Sequence, residues 1–306
     1  MRNPEGSFRI RRYCDETRES LDEMVDLMVS RGLSVPDRDG MRRILFNANY
    51  YRLSGYFRAF QNDPARGDND FGPGVCAADF LEPYRLDREL RSMILRGTAL
   101  VELTVRSRFA YLVARNGGAY SYTSLDSYEP VVNRRGAELR LSLVSNIAKW
   151  MDMSSEVCIR HYRRTGEPVP IWAAVEILPF DTVSRMLSLH RDTAALRELY
   201  HSLGVRANLR ASSEIIHAMV YLRNLCSHHS RLWHREMVIV PPVTRVMRRR
   251  YPDFGYGQRS VAQALIALFY LVDVINADDS YSGGICGFLS RNHDYAEGVR
   301  HPLHWE

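Results

Sequence analysis

Lysine is all but missing from this 306-residue chain: of its 41 basic residues only Lys149 is one, and the rest are arginine. Cysteine is scarce too. Cys14, Cys76, Cys158, Cys226 and Cys286 lie far apart and form no C-x-x-C pair, which argues against a zinc ribbon or a disulfide scaffold and fits a reducing cytosol. No run approaches the roughly 20 apolar residues of a membrane helix. The most apolar stretch, Val261–Ile275, contains Gln263 and Asp273 and predicts a buried core helix. The opening segment, Met1–Cys14, is polar and basic and lacks the apolar stretch of a signal peptide, so a cytoplasmic protein without membrane contact is expected. Strict apolar–polar alternation between hairpin turns is missing as well, so no sheet is predicted. What remains is ordinary globular composition, 45% hydrophobic and 25% charged, which excludes disorder, collagen and a coiled-coil fibre.

The formal net charge is +5. Arginine presents a planar fork of donors that matches phosphate and stacks on bases, so the bias fits a nucleic-acid partner. It equally fits a GC-rich genome, whose codons favour arginine over lysine. Charge alone leaves both readings open.

Apolar residues recur at three- and four-residue spacing along most of the chain, and the predicted fold class is all-α. A first helix is expected over Glu16–Arg31, stopped by Gly32, and a second, capped by Asp37, to about Asn47. The segment Gln61–Gly74, dense in Asp, Asn, Gly and Pro, reads as a loop. It separates an N-terminal helical region (1–75) from a helical domain (76–306). A long helix follows from Pro83, read as a first-turn residue, to Arg115, with Gly97 as a point where it can bend. Further helices are expected over Glu138–Met151, Ser155–Arg164, Asp192–Leu203, Ser212–Arg235 and Val261–Ile275, with prolines marking the breaks. The tail, Tyr281–Glu306, contains Gly283-Gly284 and is predicted irregular.

Chemistry concentrates in Tyr221–Arg235, YLRNLCSHHSRLWHR. On a helical wheel at 100° per residue, His217, Tyr221, Asn224, His228, Arg231 and Arg235 form one polar, basic stripe, while Met219, Leu222, Cys226 and Trp233 face the core with His229 among them. A polar stripe is commonly just the solvated side of a helix. This one, however, collects His, Asn and Arg where solvated faces favour Lys and Glu. It joins a group that moves protons near neutral pH to fixed positive charge. Such a set can cleave RNA without a metal. An imidazole takes the 2′-hydroxyl proton or protonates the leaving 5′-oxygen, and a guanidinium stabilises charge on the phosphate. No carboxylate lies on the stripe, and no metal or other cofactor is expected. A second mixture, Tyr50, Tyr51, Arg52, Tyr56, Phe57 and Arg58, interleaves aromatics with arginine. It suits base stacking and phosphate contact, or a helix with its aromatics in the core and arginines at the rim.

Arg223-Asn224-x-x-x-His228 resembles the R-x-x-x-x-H motif of HEPN-domain ribonucleases, and RNLCSHHSRLWHR is similar to the signature of the Abi-like family, abortive-infection proteins of the AbiD/AbiF type. Further blocks agree in order: NYYRLSGY at 49–56, Y-x-x-D-x-x-L-R at 84–91, Glu102 with Arg106 as E-x-x-x-R, and IWAAVE (171–176) with FDTVS (180–184). Two positions depart from the family pattern: Asp181 replaces a usual glycine and His234 a usual asparagine. Tyr111 stands five residues after Arg106, where a second such motif would have histidine.

The resemblance implies a HEPN-type helical bundle with additional N- and C-terminal helices. It also implies a homodimer that brings two motifs into one cleft, and anti-phage, toxin-like endoribonuclease activity, with a noncoding RNA as a further partner in some members. Arg223 would hold the phosphate, His228 act as general base or acid and Asn224 orient, with His229 and Arg231 in support. Tyr51, Arg52, Tyr56, Arg106 and Arg235 are the expected RNA contacts. On a straight helix Arg223 and His228 point about 140° apart, so either the helix distorts or Arg223 enters the cleft from its edge. A structured-RNA binder without turnover is the alternative.

Overall fold

The computed structural model describes residues 20–303, which form fourteen α-helices and one small antiparallel hairpin. The described residues fall into two compact units. The first contains the chain up to Leu90 together with Arg231–Trp233; the second contains Arg91–Ser230 and His234–Pro302.

In the first unit, α1 (Leu21–Ser30) begins at Ser20, whose hydroxyl accepts from the Glu23 N–H while the Glu23 carboxylate accepts from the Ser20 N–H. This capping box sets the start, and the expected residues 16–19 lie outside the described residues. Helix α2 (Arg38–Ala48) is capped by Asp37, as its sequence indicates. Helix α3 (Tyr50–Phe57) buries Tyr50, Leu53, Tyr56 and Phe57 and exposes Tyr51 and Arg52. The expected loop at 61–74 instead folds back as strands β1 (Gln61–Asp63) and β2 (Asp68–Phe71), because the turn residues close a hairpin too short to show alternation.

Helix α4 runs from Ala77 to Gly117. It starts six residues before Pro83, so the proline is internal rather than in the first turn. Burial of Ala77 and Phe80 outweighs the proline signal. Within the second unit α4 does not break at Gly97. The glycine instead leaves room for Tyr281: a Cβ there would stand 2.2 Å from the Tyr281 hydroxyl oxygen, and that hydroxyl donates to the Met93 carbonyl at 3.0 Å.

Helices α5 (Leu139–Met153), α6 (Val157–Thr165) and α9 (Thr193–Ser202) match the expected segments. Helices α7 (Ile171–Ile177) and α8 (Phe180–Leu189) occupy stretches where prolines suggested only breaks. Each begins directly after its proline, Pro170 or Pro179. Helix α10 (Leu209–Ser227) packs on α8. A short α11 (Arg245–Arg250) precedes α12 (Val261–Asn276), which is buried continuously from Val261 to Asp273 apart from Gln263. Its one buried carboxylate, Asp273, accepts from the Tyr251 hydroxyl at 2.8 Å and the Ser282 hydroxyl at 2.5 Å, so the charge is not left unpartnered. Among the described residues no helix is long and apolar enough to cross a membrane. Through Arg300 the tail is not irregular. It forms α13 (Ser280–Arg291) and α14 (His293–Arg300), because Ser282, Ile285, Phe288 and Leu289 bury one face despite the two glycines.

Candidate functional site

Helix α10 carries the motif. Ile215, Ile216, Ala218, Met219, Val220, Leu222, Leu225 and Cys226 are buried, while His217, Tyr221 and Asn224 lie half-buried along the opposite stripe, which ends at the exposed His228. The helix stops at Ser227, eight residues before the expected end at Arg235. His228 is its C-cap, and His229 takes the left-handed conformation at φ 54. The His229 N–H bonds the Cys226 carbonyl at 3.1 Å and the Ser230 N–H the Leu225 carbonyl at 2.9 Å. This is the Schellman pattern with histidine in the position that glycine usually fills, which is why no glycine announces the end. Arg231 and Arg235 therefore leave the helical stripe. Arg231 belongs to the first unit, where its side chain runs 3.7 Å from the point a Gly55 Cβ would occupy, and Arg235 is half-buried in the second.

Arg223 is held from two sides. It donates to Asn224 Oδ1 at 3.1 Å, and its Nε lies 3.6 Å from a Glu102 carboxylate oxygen. Glu102 is also ion-paired to Arg106 one turn along α4. The Arg106 guanidinium donates further to the carbonyls of Val175 and Leu178 and is almost wholly buried. This corrects its expected role: Arg106 ties α4 to the segment at α7 and has no free face for RNA. Glu102 stands outside the expected site residues. Its signal was present in the i, i+4 spacing to Arg106.

The bond to Asn224 bears on the angular mismatch. Asn224 sits about 40° from His228 on the wheel, so turning the Arg223 guanidinium toward Asn224 brings it round the helix edge toward His228. Arg223 and His228 share no hydrogen bond, and among the described residues no hydrogen bond engages the His228 ring. No group of three or more His, Cys, Asp and Glu side chains able to hold a metal is found among the described residues.

Three further expected contacts lie in the first unit. Tyr51 is 69% exposed and Arg52 is exposed. Tyr56 is not: it is 1% exposed and donates to the Asp87 carboxylate at 2.6 Å. Asp87, itself fully buried, also accepts from the backbone N–H groups of Leu232 (2.7 Å) and Trp233 (3.1 Å), anchoring that segment. Tyr56 is core, not a stacking platform.

The departures have local explanations. His234 has φ 53, a region where asparagine and histidine are the best-tolerated non-glycine residues. Its Nδ1 faces the His301 carbonyl at 2.8 Å and so carries the proton. Asp181 lies in the first turn of α8, where negative charge is favoured, and pairs with Arg185 at 3.2 Å.

The geometry defines an all-α protein with a guanidinium and an imidazole at the C-terminal end of one half-buried helix, the guanidinium steered by a carboxylate from a second. The chain belongs to the Abi-like protein family, whose family model matches residues 43–234. That range takes in the NYYRLSGY block and the whole of α10. The family is named for abortive infection, a phage-defence response. No curated protein and no solved structure matches the chain.

Proposed function

We propose that the protein is a metal-independent HEPN endoribonuclease that acts, toxin-like, in abortive infection. The observation that carries this reading is the Arg223–Asn224 bond at the exposed end of α10, which turns a guanidinium toward the side on which His228 stands free. His228 takes the proton of a ribose 2′-hydroxyl, the 2′-oxygen attacks the adjacent phosphorus, and the 5′-oxygen leaves protonated. The products are a 2′,3′-cyclic phosphate and a 5′-hydroxyl. Arg223 stabilises the charge that grows on the non-bridging oxygens. Glu102 holds its Nε side and Asn224 its Nη1, and the remaining guanidinium N–H groups are left for phosphate.

The R-x-x-x-x-H motif of one chain supplies one imidazole, whereas the reaction needs a base and an acid. A twofold homodimer that joins two α10 ends supplies both and completes the cleft. A cytoplasmic location and a noncoding RNA partner belong to the same reading. In the test, His228→Ala abolishes cleavage of RNA with its circular dichroism unchanged, and EDTA leaves the wild-type rate unaltered. Activity lost in EDTA and restored by magnesium overturns the mechanism. A second reading, a structured-RNA binder without turnover, is favoured by the lack of any hydrogen bond to the His228 ring among the described residues. It predicts that His228→Ala retains both RNA binding and the phage-defence phenotype.

A further inference from the structure

Helix α6 (Val157–Thr165) takes no part in the group at α10. Ile159 is buried and Tyr162 half-buried on its inner side, and the wheel places Val157, Arg160, His161 and Arg164 together on the opposite side, all exposed. These four, with Arg163, line a surface cavity of about 590 Å³. Arg163 is already committed: it donates to the carbonyls of Met151 (2.6 Å) and Asp152 (2.8 Å) and so seats α6 on the end of α5. Arg160 and Arg164 are not. Among the described residues neither has an ion pair or a side-chain hydrogen bond, and α6 itself contains no acidic residue.

Many other surface arginines are neutralised by contrast. Arg38, Arg42, Arg85, Arg115, Arg210 and Arg259 each have a carboxylate partner. Two like charges at i, i+4 destabilise a helix slightly, and the helix dipole accounts for a cation in the last turn but not for Arg160 near the middle. The face thus combines unneutralised guanidinium groups about 6 Å apart along the axis with an imidazole between them.

We propose that this face of α6 is an anchoring surface for single-stranded RNA, separate from the cleavage chemistry. Arg160 and Arg164 hold successive phosphates of one strand, and the His161 ring lies against a base. A contact one helical turn long follows a single strand; it does not span the successive grooves that a duplex presents. The proposal rests on the RNA reading given above, and its test separates the two.

The full chain carrying His228→Ala, which prevents turnover, is titrated with a fluorescently labelled single-stranded RNA at several salt concentrations, with and without Arg160→Gln/Arg164→Gln. Removal of two phosphate contacts lowers the salt slope of log affinity by about 1.4 and weakens binding roughly tenfold. Arg160→Lys/Arg164→Lys retains most of both. In the otherwise wild-type chain, Arg160→Gln/Arg164→Gln cleaves a dinucleotide at the wild-type rate, since a substrate with a single phosphodiester has no further phosphate for α6 to hold. Unchanged affinity and slope in the Gln pair, with the parent binding RNA, overturn the anchoring surface and leave the nuclease reading standing. Equal weakening toward duplex and single strand also overturns it as a single-strand contact. A His228→Ala chain that does not bind RNA, together with a wild-type chain that does not cut it, overturns both.

Discussion

Glu102→Gln is the substitution that tests the site most directly, because one carboxylate serves two arginines in different surroundings. The Arg106 side chain is 10% exposed and Glu102 16%. Removing one partner of a buried ion pair costs about 3–5 kcal/mol. Arg106 keeps its two carbonyl acceptors, and the glutamine oxygen can still accept a hydrogen bond, so the loss falls to about 2 kcal/mol, of the order of a hydrogen bond to a charged group. The Arg223 contact is different. That side chain is 40% exposed and 3.6 Å away, which places the pair with surface ion pairs worth about 0–1 kcal/mol. Its value lies in direction: without the carboxylate the guanidinium swings freely and reaches phosphate less often. The expected result is a urea midpoint lowered by about 2 kcal/mol equivalent and RNA cleavage reduced roughly tenfold at temperatures where the variant is folded. Arg223→Ala serves as the control. It abolishes cleavage with less than about 1 kcal/mol of stability loss. If Arg223→Ala destabilises as much as Glu102→Gln, Arg223 is a structural member of the core. If Glu102→Gln changes neither stability nor cleavage, the steering argument fails.

Tyr51→Ala and Tyr56→Phe should separate the two tyrosines. The first weakens RNA binding by about 1–3 kcal/mol through loss of a stacked base, whereas the second leaves binding unchanged and costs about 2 kcal/mol by removing a donor from buried Asp87. Gly97→Ala is expected to destabilise by about 1–3 kcal/mol despite the better helix propensity of alanine, because the new Cβ meets the Tyr281 ring; a raised unfolding midpoint would contradict the packing. His190 gives the pH dependence. Buried against Phe109 and Tyr128, its Nδ1 accepts from the Asp192 N–H, and burial holds its pKa below the ordinary 6.5, partly opposed by the Asp192 carboxylate. The folded state keeps His190 neutral while the unfolded chain takes up a proton below about pH 6.5, so this contribution is intact above that pH and lost progressively as pH falls below it. Denaturation midpoints across pH 5–8 in wild type and His190→Gln check this: the variant loses that part of the acid sensitivity.

The all-α class, the Asp37 cap, the buried run at α12 and the stripe from His217 to His228 are all legible in the residues. Each depends on periodicity or a cap, which are local properties of the chain. Where the helix carrying the motif stops was not legible, since His229 adopts a left-handed conformation that no glycine announces. The same holds for the tail helices, where burial of four side chains outweighs two glycines, and for Tyr56, whose hydroxyl partner lies 31 residues away. Nor could spacing say that Arg106 is consumed by two carbonyls 69 and 72 residues on, or that Glu102 is the carboxylate within reach of Arg223. Sequence by itself fixed which chemical groups share a helix face, because that follows from 3.6 residues per turn. Only the tertiary structure decided which of those groups are spent on the fold and which stand free, because a side chain's partners are set by distant segments that come together on folding.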